Sequence, residues 1–244
     1  MTNMQKTYSN LIKGIRQYFE KNNLKKAVIG LSGGIDSSLS AFLVAKAIGP
    51  KNLLGLIMPE IGVSSKESTE YAKKLAELIG ISYSIIPINS FLAPYKKSLK
   101  WKENKIAIIN TKARTRANIL YNYANTHNAI VIGTSNKSEM MLGYFTKYGD
   151  GACDLEVIGS LYKTEVYKLA KHLKLPKEII ERAPTAELFH GHTDEKELGA
   201  PYSEIDKILK QVEKGKKPKG KLAGEILKRI KENEHKTKAI PIIK

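Results

Sequence analysis

Residues 27–40 read AVIGLSGGIDSSLS. The apolar run 27–31 has the length of a buried parallel strand. Ser32, Gly33 and Gly34 follow directly. Adjacent glycines permit positive φ and carry no Cβ, so an anion can approach the backbone closely. Asp36, Ser37 and Ser38 then open an apolar helix that runs to about Ile48. Asp and Ser at a helix start cap free N–H groups, at an end that carries partial positive charge. A strand, a glycine turn and a helix N-terminus in this order make an anion site. No G-K-[ST] follows, which excludes the Walker A loop, and G-x-G-x-x-G is absent, which excludes the common dinucleotide fingerprint. A plain turn would need one glycine and no acid.

Outward from this stretch the chain alternates. Residues 3–22 read as a surface helix with Leu11, Ile15, Tyr18 and Phe19 on one stripe. Gly49-Pro50 stops the helix after the glycine turn. Residues 53–58 and 81–88 read as buried strands, and Ser64-Ser65-Lys66-Glu67 as a capping box opening a helix to about Ile79. Residues 89–104 read as a loop with a short helix. Asn110 is expected to cap a helix over 111–126. A fourth strand over 129–133 ends in Thr134-Ser135-Asn136-Lys137, at the carboxyl edge where open α/β sheets bind ligands. A fifth strand is expected over 156–159, then helices to about Leu175, over 176–182, 202–215 and 222–235, with a long mobile loop at 184–201. The pattern predicts an α/β fold: a Rossmann-like open parallel five-stranded sheet with helices on both faces, in one domain over 1–244.

At 244 residues, one sizeable core is the default and a second catalytic domain has no room. No apolar run is long enough to span a bilayer, so no membrane partner is expected. The amphipathic N-terminus lacks the apolar core of a secretion signal. The single Cys153 excludes an internal disulfide and a CxxC pair and fits a reducing cytoplasm. His127, His172, His190 and His192 show no metal-ligand spacing with a carboxylate. The formal charge of +17 points to a polyanionic partner. Its cations are mostly lysine, with arginine only at 16, 114, 116, 182 and 229. Nucleic-acid readers favour arginine for its two-pronged grip, so no nucleic-acid partner is expected.

The stretch SGGIDS, residues 32–37, resembles the pyrophosphate-binding loop of the ATP pyrophosphatases, which adenylate a carboxylate or similar oxygen. Further along stand GTSNKSEMMLGYFTKYGDGACD (133–154), LYKTEV (161–166), PTAEL (184–188) and HTDEKELG (192–199). Together they resemble the ammonia-dependent NAD synthetases, in order from about Lys26 to Lys236. The resemblance implies that Gly30, Leu31, Ser32, Gly33, Gly34, Ile35, Asp36 and Ser37, with Thr134, Lys163 and Thr185, hold ATP. It implies that Asp36 and Glu139 ligate Mg²⁺, a hard cation that takes carboxylate oxygens. Arg114, Lys147, Asp154, His235 and Lys236 fall on positions that hold deamido-NAD, and Asp150 on an acid that orients or deprotonates ammonia.

The implied reaction begins when a nicotinate carboxylate attacks the α-phosphate of ATP, giving NAD-adenylate and pyrophosphate. Ammonia then attacks the activated carbonyl and AMP leaves. In that family the substrate lies at a homodimer interface, and small residues of the stripe Ala113, Ala117, Leu120, Tyr121 and Ala124 would let two helices approach. Glutamine-using relatives carry an additional amidase domain that this length does not accommodate. The departures are minor: Cys153 stands where a small residue is expected, and Val157-Ile158 where Pro-Ile or Pro-Leu is common. The alternative is a tRNA-modifying adenylating enzyme of the same superfamily, which would share SGGIDSS and use the charge, although thiolating members need paired cysteines. A non-catalytic basic nucleic-acid-binding protein would leave residues 139–154 unexplained.

Overall fold

The computed structural model describes residues 3–184 and 193–243. In chain order the elements are α1 (Asn3–Lys21), β1 (Lys26–Gly30), α2 (Ile35–Ile48), β2 (Leu53–Ile57), α3 (Lys66–Ile79) and β3 (Ser82–Ile85). Then come α4 (Asn89–Ser98), α5 (Lys105–His127), β4 (Ala129–Gly133), α6 (Lys137–Leu142) and β5 (Leu155–Glu156). The last are α7 (Lys163–His172), α8 (Lys177–Ile180), α9 (Asp194–Leu198), α10 (Tyr202–Glu213) and α11 (Lys221–Asn233). The sheet is five-stranded, ordered β3-β2-β1-β4-β5, and every pair is parallel.

Alternation along the strands explains the layers. Ala27 and Ile29 of β1, Leu53 and Ile57 of β2, and Ile130 and Ile132 of β4 pack with α1, α2, α3, α7 and α8. Val28, Leu56 and Val131 point the other way, to α4 and α5. A third apolar cluster, including Leu142, Tyr162, Leu198, Tyr202, Ile205, Leu209 and Ile226, joins α6, α9, α10 and α11 into a helical annex beside the sheet. From β1 the chain moves to β2 on one side, and only later reaches β4 on the other. The loops after β1 and β4 therefore diverge from a crevice at the strands' carboxyl ends, where such sheets place ligands.

Several boundaries differ from the sequence-based expectation. The long helix begins at Lys105, where the Asn104 side chain accepts the Ala107 N–H at 2.8 Å. Asn110 lies inside that helix, and its Oδ1 accepts the Thr146 hydroxyl. Ser65, not Ser64, caps α3 by accepting the Ser68 N–H, while Ser64 Oγ accepts the N–H of Glu60. β3 is a short edge strand with Ile85 exposed, because it has one neighbour instead of two. β5 is only Leu155–Glu156, since Val157 and Ile158 turn inward to the core. The expected loop 184–201 contains α9; its residues 185–192 lie outside the described residues. The small-residue stripe of α5 packs on this chain's own sheet: Ala124 is buried there, with Leu120 and Tyr121 against the same cluster.

Candidate active site

A cleft of about 540 Å³ opens at the crevice and is lined by the loops after β1 and β4, by α5, and by Asp150, Lys163, Asp194 and Lys236. Its floor is the loop of residues 30–37. Ser32 Oγ accepts the Gly34 N–H at 3.2 Å and shares a hydrogen bond with Ser37 Oγ at 3.0 Å. Ser37 Oγ donates to the Gly34 carbonyl and accepts the Ser32 N–H. The loop is thus tied to itself before any ligand arrives. Gly33 has φ +77°, and a Cβ there would run into the Ser68 carbonyl of α3. No side chain is tolerated at that point.

Asp36 stands in the first turn of α2, with no side chain capping the helix from the preceding Gly34. Its Oδ1 accepts from Asn136 Nδ2 at 2.9 Å and its Oδ2 from Lys163 Nζ at 2.5 Å. Asn136 in turn forms a capping box with Glu139: its side chain accepts the Glu139 N–H, and Glu139 accepts the Asn136 N–H, each at 3.0 Å. Glu139 Oε1 lies 3.5 Å from Lys163 Nζ. One ammonium, 2% exposed, therefore sits between two carboxylates that are themselves 19% and 15% exposed.

The electrostatics follow from that crowding. Burial, then the charge of Asp36, push the Glu139 carboxyl up to about 8 against the pull of Lys163. Burial alone would lower the Lys163 ammonium, yet Asp36 and Glu139 hold it above the ordinary lysine value. Two close carboxylates that share one lysine leave negative charge uncompensated. That donor set, hard oxygens open to a cleft, fits Mg²⁺, which binds through one or two carboxylates plus substrate phosphates.

Other sequence-predicted residues divide by location. Thr134 lines the cleft, and the Ser135 N–H that follows it donates to Glu156 Oε2 at 3.0 Å. Burial pushes Glu156 up to about 7. Asp150 faces the cleft and accepts the Thr146 N–H at 2.9 Å. The enclosing loop raises its carboxyl above the ordinary aspartate value, although the residue itself is open to solvent. Arg114 donates to the Lys147 carbonyl, Lys147 Nζ to the His235 carbonyl, and Lys236 Nζ to the carbonyls of Gly143 and Phe145. These four basic residues, 122 positions apart at the extremes, form one chain along the loop that carries Asp150.

Asp154 does not join them. Its carboxylate accepts the Val131 N–H and the Tyr121 hydroxyl, so it secures β4 to α5. Thr185 lies outside the described residues, as do His190 and His192. His127 packs on Tyr123 and His172 meets Gln5, both at the surface.

Several polar cleft residues escaped the sequence reading. Arg182 Nη2 donates to Ser68 Oγ at 2.6 Å, beside the start of α3, and Arg116 Nε donates to the Met58 carbonyl at 2.9 Å. The Arg229 guanidinium lies 6.0 Å from the Tyr144 ring, and the Tyr144 hydroxyl donates to Glu197 at 2.9 Å and to Asp194 at 3.5 Å. Asn136 also escaped it, although its i, i+3 spacing to Glu139 was a cap signal that could have been read in advance.

A family model described as NAD synthase matches residues 7–240. The NH(3)-dependent NAD(+) synthetase of Methanocaldococcus jannaschii is 46% identical over 245 residues, covering 96% of this chain and 94% of that protein. The solved structure of NMN synthetase from Francisella tularensis superposes with a TM-score of 0.89 at 34% identity, covering 100% and 99% of the two chains. That of the NH3-dependent NAD synthetase from Campylobacter jejuni, in complex with the nitrate ion, gives 0.85 at 34% identity and 100% of both.

Proposed function

As a member of the NAD synthase family, this chain is an enzyme, and we propose that it amidates deamido-NAD with free ammonia at the expense of ATP. The products are NAD, AMP and pyrophosphate, formed through NAD-adenylate. The observation that carries this reading is the buried Lys163 ammonium held by Asp36 and Glu139 at the mouth of a pre-tied anion loop. Such a site suits a hard cation, which would offset the phosphate charge that adenylation builds.

The loop N–H groups, Thr134 and Lys163 bind the phosphates of ATP, together with Thr185. Asp36 and Glu139 hold Mg²⁺, which when bound neutralises the charge that builds on the phosphates. Asn136 orients Asp36 through its amide. Asp150 orients ammonia or takes its proton at the cleft wall. Arg114, Lys147, His235 and Lys236 grip the dinucleotide phosphates, and Asp154 supports that surface through β4. All of this lies in one domain over 1–244.

We further propose a homodimer. Of α5 only Ala117 and Ala124 are buried, and large apolar side chains at its start stand open: Ile106 is 70% exposed and nearby Trp101 67%. Exposed apolar groups gathered in one place suit a contact with another chain. The single thiol suits a cytoplasmic enzyme, and no helix of the described residues is long and apolar enough to cross a membrane.

The test is an incubation with ATP, Mg²⁺, ammonium and deamido-NAD, followed for NAD and AMP in equal amounts. No NAD above a boiled control would refute the reading. A parallel incubation with nicotinate mononucleotide answers the Francisella tularensis likeness; a preference for it would move the substrate to the mononucleotide. The family match spans residues 7–240, not the SGGIDSS loop alone, which leaves the tRNA-modifying alternative without support.

A further inference from the structure

α7 begins at a residue that cannot cap it. Tyr162 stands at the N-cap and offers no side-chain acceptor to the first turn. The Glu165 N–H bonds the Tyr162 carbonyl at 2.8 Å and Glu165 Oε2 accepts the Tyr162 N–H at 3.0 Å, but the two N–H groups between them are satisfied from other elements. The Lys163 N–H donates to Ser138 Oγ at 2.9 Å, and the Thr164 N–H to Asp206 Oδ2 at 2.9 Å. Ser138 Oγ then donates to Asp206 Oδ1 at 2.5 Å. Asp206, 2% exposed on α10, thus ties the first turn of α6, which bears Glu139, to the first turn of α7, which bears Lys163. A carboxylate accepting two such bonds makes the strong, charge-assisted kind. Tyr202, one turn earlier on α10, sets its ring 5.3 Å from Lys163 Nζ.

We propose that Asp206 is a positioning residue for the adenylation step, acting through Ser138 and the α7 first turn to set Lys163 against Asp36 and Glu139. It touches neither nucleotide nor metal. This inference rests on the functional reading above, because it presumes that Lys163 works in the reaction. The physical ground is that Lys163 reaches Asp36 across 127 positions of sequence, so only tertiary bonds determine where its backbone starts. An ordinary N-cap would secure the helix to itself; Asp206 secures it to the helix bearing the other half of the site.

The test uses the whole chain. Asp206→Asn keeps size and loses the second acceptor, since its amide cannot accept from both Ser138 and Thr164. Its kcat should fall about 10- to 100-fold, the scale of a small misplacement of a reacting group, with KM for deamido-NAD little changed. Leu209→Ala, buried on the same helix but taking no part in these bonds, should lower the melting temperature while keeping kcat at low temperature. Ser138→Ala, which removes one acceptor and one donor without adding bulk, should reduce kcat in the same direction. If Asp206→Asn folds with wild-type kcat, the proposal falls. It also falls if kcat drops equally in Leu209→Ala, which would make the effect one of general stability. If Asp206→Asn does not fold, an unchanged kcat in Ser138→Ala overturns the proposal instead. Wild-type protein that makes no NAD overturns the functional reading, a result distinct from all of these.

Discussion

Replacing Lys163 with methionine isolates the central charge balance. The ammonium is 2% exposed and sits 2.5 Å from Asp36 and 3.5 Å from Glu139. Methionine fills similar space and removes the ammonium that stands between two shielded carboxylates. Removing one member of a buried pair costs about 3–5 kcal/mol. In a chain of this size each 1 kcal/mol lowers the melting temperature by roughly 2–4 °C, so a loss of roughly 10 °C is expected without divalent cation. The pH dependence has a definite sign. Glu139 is pushed up to about 8 by burial and by Asp36. Below that pH it holds a proton, and the variant then leaves one uncompensated charge instead of two. The melting gap between wild type and variant in chelator should be widest near about pH 9 and narrow toward about pH 6. Mg²⁺ added near about pH 8 should narrow it as well, by binding the folded form. The assay is a thermal melt over a pH series with and without Mg²⁺. Coincident melts in chelator at alkaline pH, or a gap that grows as pH falls, would refute the reasoning.

Asp36→Asn and Glu139→Gln should fold and lose pyrophosphate release by about 100-fold or more; wild-type release by either at ordinary Mg²⁺ would remove its ligand role. Glu139 is raised in the folded state, so the stability it contributes is complete below its ordinary value and lost as pH rises through about 8. Glu139→Gln in chelator should therefore gain on wild type in melts as pH climbs through that window, and a constant difference would contradict the shift. Gly33→Ala forces a Cβ into the Ser68 carbonyl at φ +77°, a strain of about 1–3 kcal/mol; the expected signs are a lower melting temperature and weakened ATP binding in calorimetry. Mixed with exchange of subunits, inactive Arg114→Ala and Lys163→Met chains should regain activity if one site draws on two chains. No recovery despite verified exchange would assign Arg114 to its own subunit, and an active monomer in light scattering would end the dimer proposal.

Much of the frame was legible because it is local. Short apolar runs that contain or end in glycine marked β1, β2 and β4, and their hydrophobicity marked a sheet covered on both faces. The register of those strands then follows from burying Ala27 and Ile29 against one layer and Val28 against the other. The helix starts that shifted were those where two equivalent local signals compete. Asn104 and Asn110 both suit an N-cap, and the structure uses Asn110 to hold Thr146 instead. Ser64 and Ser65 compete in the same way for α3.

The sequence alone determined the anion loop, since Ser32, Gly34 and Ser37 bond within five residues of one another. It also determined the Asn136–Glu139 cap, for the same reason of i, i+3 reach. That Lys163 is a buried counter-charge rather than a surface lysine was decided only by tertiary structure. Its partners lie 127 and 24 residues away, and they meet because β1 and β4 are neighbours in the sheet while α10 fastens α7 to α6. Local spacing can place a charge on a helix. Only the packing of strands and helices removes its water and selects the carboxylates that replace it.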